Sequence, residues 1–242
     1  MVQINSPQGQ EVIYPDSDGK PMADNTKQFR WIVTIKENLE TLFSEDANVF
    51  IAGDLLWYPV EGDNKTRIAP DAMVVFGRPK GDRGSYQQWR EDNLPPQVVF
   101  EILSPGNTRA EMSRKLLFYD RFGVEEYYEY DPDRNILNGW IRTDGFLNMI
   151  DSMRGWVSPR LAIRFEPTRQ ELQIYFPDGE RFLTHTEISE KADRAEEIAR
   201  QERDRADRAE EIARQERDRA DRAEEKADRL AAQLRELGVE FE

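Results

Sequence analysis

The chain has 242 residues, a formal net charge of -14 and no cysteine. That length suits one domain of ordinary size with a further segment appended. Without cysteine there is no disulfide framework and no thiolate metal site, and the acidic balance opposes non-specific attraction to nucleic acid or anionic membrane unless a local patch overrides it.

The opening stretch "MVQINSPQGQEVIYPDSDGK" has neither a basic cap nor an apolar run, so no signal peptide is expected in it. No apolar run approaches the roughly 20 residues that cross a bilayer. A cytoplasmic protein with no membrane partner is the expectation. Apolar residues at Phe29, Ile32, Val33, Leu39, Leu42 and Phe43 recur at helical spacing and predict a helix over 25–43, capped by Asp24 or Asn25. "VFIAGDLLWYPV" (Val49–Val60) predicts a strand broken near Gly53. "DAMVVFG" (Asp71–Gly77) and "QVVFEIL" (Gln97–Leu103) predict buried strands. Thr108-Arg109-Ala110-Glu111 fits a capping box and opens a helix ending at Gly123. "VEEYYEYDP" (Val124–Pro132) alternates and stops at Asp-Pro, as a strand does. "ILNGWIRT", "LAIRFEP" and "ELQIYFPDGERFLT" predict further strands joined by turns. The expected class is α+β with a mixed or mostly antiparallel sheet flanked by helices.

Composition changes near residue 187, which divides the chain into an expected globular domain, 1–186, and a tail, 187–242. Both parts carry more acid than base. The tail repeats "DRAEEIARQERDRA" at Asp193–Ala206 and Asp207–Ala220. That period is two heptads and predicts a long helix. Acid-before-base pairs at i,i+4 support it: Glu196–Arg200, Asp204–Arg208, Glu210–Arg214, Asp218–Arg222 and Glu225–Arg229. With Ala192 at position a, the 3-4 spacing never slips, which favours a left-handed coiled coil and a homo-oligomer to which the tail contributes. Its seam is mostly alanine, with Glu202 and Glu216 at d, so only weak self-association anchored at Leu230, Leu234 and Leu237 is expected.

Glu101 interrupts an apolar run, and a buried unpaired carboxylate costs several kcal/mol. Asp71 opens an apolar strand directly after Pro70; Glu101 ends one before the Ser104-Pro105-Gly106 turn. If these strands are neighbours, the two carboxylates converge at the sheet's edge. A hard divalent cation such as Mg²⁺ takes such oxygen donors and keeps waters for a substrate phosphate. Lys115 lies on the following helix between the core-facing Met112 and Tyr119, where it could activate water or stabilise a negative transition state. An alternative stays open, with Glu101 salt-bridged to Lys115 and Asp71 capping a turn. "FGRPKGDRGSYQQWRE" (Phe76–Glu91) brings Arg78, Lys80, Arg83 and Arg90 near Tyr86 and Trp89, either as a phosphate-holding loop or as an ordinary exposed one. His185, the only histidine, supports no triad or zinc site.

"APDAMVVFG", "PPQVVFEILSPGN" and "KLLFYDRFGVEEYYEYDP" together resemble the Uma-type restriction endonuclease family of the PD-(D/E)XK nuclease superfamily. The resemblance covers roughly Val12 to Glu166. It implies a restriction-endonuclease-like core, a Mg²⁺ or Mn²⁺ cofactor, nucleic acid (DNA first) as partner, and phosphodiester hydrolysis. It places metal-binding acids on Asp71 and Glu101, and the catalytic set on Asp71, Glu101 and Lys115. The superfamily's lysine belongs two residues after the glutamate, where this chain has Leu103; the family pattern moves that role to Lys115. An added acid from the first helix would fall on Glu37 or Glu40, and Asp54 is a further candidate. Two other classes remain beside the nuclease: a nuclease-fold protein that binds without efficient turnover, and an assembly protein whose working part is the tail.

Overall fold

Asn25 starts the first helix: its side-chain oxygen accepts the Gln28 amide at 2.9 Å, and α1 runs Thr26–Leu42. The computed structural model describes residues 12–17, 19 and 21–236. They fall into two units, Met1–His185 and Thr186–Glu242. The buried side of α1 holds Gln28, Trp31, Ile32, Thr34, Ile35, Asn38 and Leu39. Phe29, expected on that side, is 48% exposed. The apolar pattern misplaces the face because polar Gln28 and Asn38 are spent on interior backbone groups. Gln28 Nε2 donates to Ile102 O at 2.8 Å, and Asn38 Nδ2 donates to Leu183 O at 2.7 Å.

The strands in chain order are β1 (Val49–Ala52), β2 (Trp57–Tyr58), β3 (Ala72–Phe76), β4 (Tyr86–Gln87), β5 (Val98–Ile102), β6 (Glu126–Asp131), β7 (Ile136–Thr143), β8 (Phe146–Met149), β9 (Arg164–Pro167) and β10 (Leu172–Tyr175). Six of them form one sheet in the order β1-β3-β5-β6-β7-β8, and β2–β4 and β9–β10 form two small ones. β4 and β8 are not among the expected strands; the expected break at Gly53 separates β1 from β2, both inside the Val49–Val60 stretch. In the large sheet only β5 and β6 run parallel. A parallel pair needs a crossover, and α2 (Arg109–Arg121) supplies it. The fold is α+β with a mixed, mostly antiparallel sheet.

Side chains alternate along each strand and divide the core in two. Val74, Val98, Phe100 and Ile102 face Trp31 and Ile35 of α1, with Phe165 and Ile174 of β9 and β10. Met73, Val75 and Val99 face Tyr119 of α2, with Trp57 and Tyr86 of β2 and β4. Only half of the expected capping box forms at α2: Thr108 Oγ1 accepts the Glu111 amide at 3.2 Å. The helix stops at Gly123, whose φ of 90° suits glycine, and the Val124 amide closes the end on Tyr119 O at 3.0 Å.

α3 is a single helix of 52 residues, His185–Glu236, and residues 188–230 are all exposed. Arg200 pairs with Glu197 and Arg214 with Glu211, at i,i+3, in place of the expected Glu196 and Glu210. Both spacings bring side chains together on a helix. Among the described residues no helix is long and apolar enough to cross a membrane.

Candidate active site

The β3–β5 register pairs Ala72 with Phe100. One step further along that ladder stand Asp71 and Glu101. Alternation puts both on the α2 side of the sheet, Asp71 in phase with Met73 and Glu101 with Val99. The Asp71 carboxylate reaches across to β5, where its Oδ2 accepts the Ile102 amide at 2.6 Å. Glu101 is 1% exposed. Lys115 Nζ donates to its Oε2 at 2.7 Å, and the Tyr119 hydroxyl donates to its Oε1. Lys115 and Tyr119 are four apart on α2, so one helical face clamps both carboxylate oxygens. The three residues singled out as catalytic therefore come together, and the salt bridge of the alternative reading is part of the same arrangement.

A cleft of ≈ 660 Å³ opens over this group, lined by Asp71, Lys115, Asp54, Asp24, Gln28 and Glu111, with Lys65 and Arg67 among its other residues. Glu101 does not line it. Burial, then the like charge of Glu101, pushes the Asp71 carboxyl well above the usual carboxylate range, with Lys115 opposing and Asp54 adding to the rise. Burial works to lower the Lys115 pKa, but the charges of Glu101 and then Asp71 outweigh it and hold the ammonium above the usual lysine value. Lys115 is thus held as a cation beside the two acids, a state suited to electrostatic stabilisation. Burial, then the Glu101 charge, keeps the Tyr119 hydroxyl protonated and donating.

Among the described residues no three His, Cys, Asp or Glu side chains group closely enough to hold a metal ion. The donor set nonetheless fits a hard divalent cation such as Mg²⁺. That ion is commonly held by one or two carboxylates and completes its shell with water and substrate phosphate. A carboxylate has about four lone-pair sites, and Glu101 commits two.

Other candidates fall elsewhere. Glu40 pairs with Lys36 at 2.8 Å, and Glu37 Oε2 lies 3.5 Å from His185 Nδ1; neither lines the cleft. Asp54 does line it, held by its amide on Pro70 O at 3.0 Å. Leu103 lines a second cleft of ≈ 640 Å³ with Glu129, Asn138 and Trp140. It shares Glu101's strand phase and does not line the Asp71 cleft. Three of the four basic residues of the loop, Arg78, Lys80 and Arg83, are engaged internally. Arg78 and Arg83 both hold Glu91, at 2.8 and 2.7 Å, Arg83 lies 3.9 Å over the Phe50 ring, and Lys80 donates to the Phe43 and Ser44 carbonyls. None of these lines the Asp71 cleft. Lys65 and Arg67, which do, drew no attention in the sequence because they lie singly in a turn. Gln28 was missed as well; its only sequence signal is a polar residue in phase with Trp31, Ile32 and Ile35.

The chain matches, over residues 7–198, the family described as Uma2, "Putative restriction endonuclease". Among solved structures it is similar to a "putative nuclease belonging to DUF820" from Anabaena variabilis, at 16% identity and a TM-score of 0.42, covering 59% of this chain and 78% of that one. Comparison with curated proteins gave no match.

Proposed function

This chain belongs to the Uma2 family, and we propose that it hydrolyses nucleic-acid phosphodiester bonds, DNA in the first place, in the Asp71 cleft. The observation that carries this reading is the convergence of Asp71, Glu101 and Lys115 at one sheet edge. Asp71 and Glu101 would hold the cation, Mg²⁺ or Mn²⁺. When bound, it would lower the pKa of a coordinated water and neutralise charge on the phosphate. Lys115 faces the cleft as a permanent cation and stabilises the negative charge that grows on the phosphoryl oxygens. Tyr119, beneath it, fixes the orientation of Glu101. Lys65 and Arg67 on the cleft wall are placed to hold flanking phosphates, which positions a strand without reading its sequence.

One observation favours a second reading, binding with little turnover: both Glu101 oxygens are already engaged by Lys115 and Tyr119. A plasmid-nicking assay with Mg²⁺, Mn²⁺ or chelator, paired with calorimetry of each metal, separates the two. The expected result is metal-dependent nicking, abolished by Asp71→Ala and Glu101→Gln and slowed about 100-fold by Lys115→Met, each checked for a native far-UV spectrum. Lys65→Ala should weaken DNA binding and reduce its salt slope by about one. Metal binding that survives loss of both acids would sink the proposed site. DNA binding without nicking under every metal supports the second reading.

A further inference from the structure

We propose that α3 is a pairing surface for a second copy of the same helix, parallel and in register. This inference is independent of the cleft and its chemistry. It rests on the order of the charges that flank the heptad seam. With Ala192 at a, ion pairs within the helix include Arg194 with Glu190, Arg200 with Glu197 and Arg214 with Glu211. All of these residues occupy b, c or f, the outward side of a heptad. Beside the seam, Arg205 and Arg219 at g and Glu210 and Glu224 at e form no ion pair among the described residues. Charges on the outer side also stand outside these pairs, Asp207, Arg208, Asp221 and Arg222 among them, so what singles out the e and g stripe is its own sequence of charges.

That stripe complements itself. In a parallel pair, a g residue meets the e residue five positions later on the partner helix. Arg205 then meets Glu210 and Arg219 meets Glu224, each twice by symmetry. Ile198 and Ile212, also at g, are 58% and 57% exposed and meet Arg203 and Arg217, whose stems can cover them. No like charges are opposed at these flanks. Each d glutamate, Glu202 or Glu216, is followed at e by an arginine that lines the partner's d layer, whereas each d alanine is followed by a glutamate. The two-heptad repeat is thus an alternation of two self-consistent layers. Every a residue from Ala192 to Ala227 is alanine, which permits close backbone approach. An antiparallel pair could also match charges at e. It would leave Leu230, at d and 49% exposed, without its counterpart, and the sequence continues that apolar seam with Leu234 and Leu237.

The test uses the full chain, which has no cysteine of its own. Ala199→Cys and Ala220→Cys, made separately, should each form a self-disulfide in a glutathione buffer, because a residues of a parallel pair lie within disulfide reach. Light scattering should give twice the 28.3 kDa of one chain. The double variant Arg205→Glu/Arg219→Glu should weaken the pair roughly tenfold or more, and adding Glu210→Arg/Glu224→Arg should restore it. A single-chain mass at about 100 μM would overturn the proposal at the weak-association limit set by such short-range pairs. A dimer in which one or both cysteine variants fail to cross-link would overturn the parallel register. A dimer indifferent to the charge reversal would overturn the role of the e and g pairs.

Discussion

Glu101 takes two neighbours to be tolerated where it is. Lys115 supplies charge and Tyr119 a hydroxyl. Lys115→Met should therefore strand a buried anion and cost about 3–5 kcal/mol, and adding Glu101→Gln should return most of that loss. Urea unfolding of the two variants decides it: a double variant no more stable than the single one would mean that Lys115 does not compensate Glu101. Glu129, facing the second cleft, gives a pH signature. Burial lifts its carboxyl above the usual glutamate value, against hydrogen bonds from Asn138 and Tyr127. The folded state then keeps its proton to higher pH than the unfolded chain does. That share of stability is present below the ordinary glutamate pKa and is lost as pH rises through the folded one. Glu129→Gln should show a smaller loss of stability as pH rises above the ordinary glutamate pKa; an unchanged slope would remove Glu129 as its source. At this scale the acids were legible because a carboxylate inside an apolar run has few innocent explanations. Gln28 and Tyr119 were less so, because a glutamine on a helix and a buried tyrosine look ordinary until the groups they contact are known.

The unit that assembles the site is the crossover from β5 through α2 to β6. Its strands and helix were readable as local patterns: apolar runs, a Thr108 cap and a Gly123 stop. What local pattern did not carry is pairing, namely that β3 and β5 are neighbours in a register placing Asp71 opposite Glu101, and that β2 and β4 meet in a separate small sheet. The basic loop shows the reverse failure. Its composition is that of a phosphate-binding segment, yet Glu91, within the same stretch, consumes Arg78 and Arg83. Gly123 is where the crossover is most exposed to change. A Cβ there would force a left-handed conformation on an ordinary residue, so Gly123→Ala should cost about 1–2 kcal/mol in chemical denaturation. An unaltered midpoint would show that the turn relaxes to another conformation.

For the molecule as a whole, the two units differ in what stabilises them. Unit one has two apolar layers around a sheet, whereas α3 is exposed from residue 188 to 230 and has no core of its own. We expect residues 1–186 alone to unfold cooperatively at the full-length midpoint, read by near-UV circular dichroism. A loss of cooperativity in the truncated chain would show that the helix supports the body. The repeat within α3 has another consequence. Because one repeat, Asp207–Ala220, spans two whole heptads, removing or duplicating it changes the helix by about 21 Å and leaves every flanking residue in its former phase. A gene segment that expands or contracts by recombination between its own copies would then produce a ruler graduated in fixed steps, each length still reading the same partner.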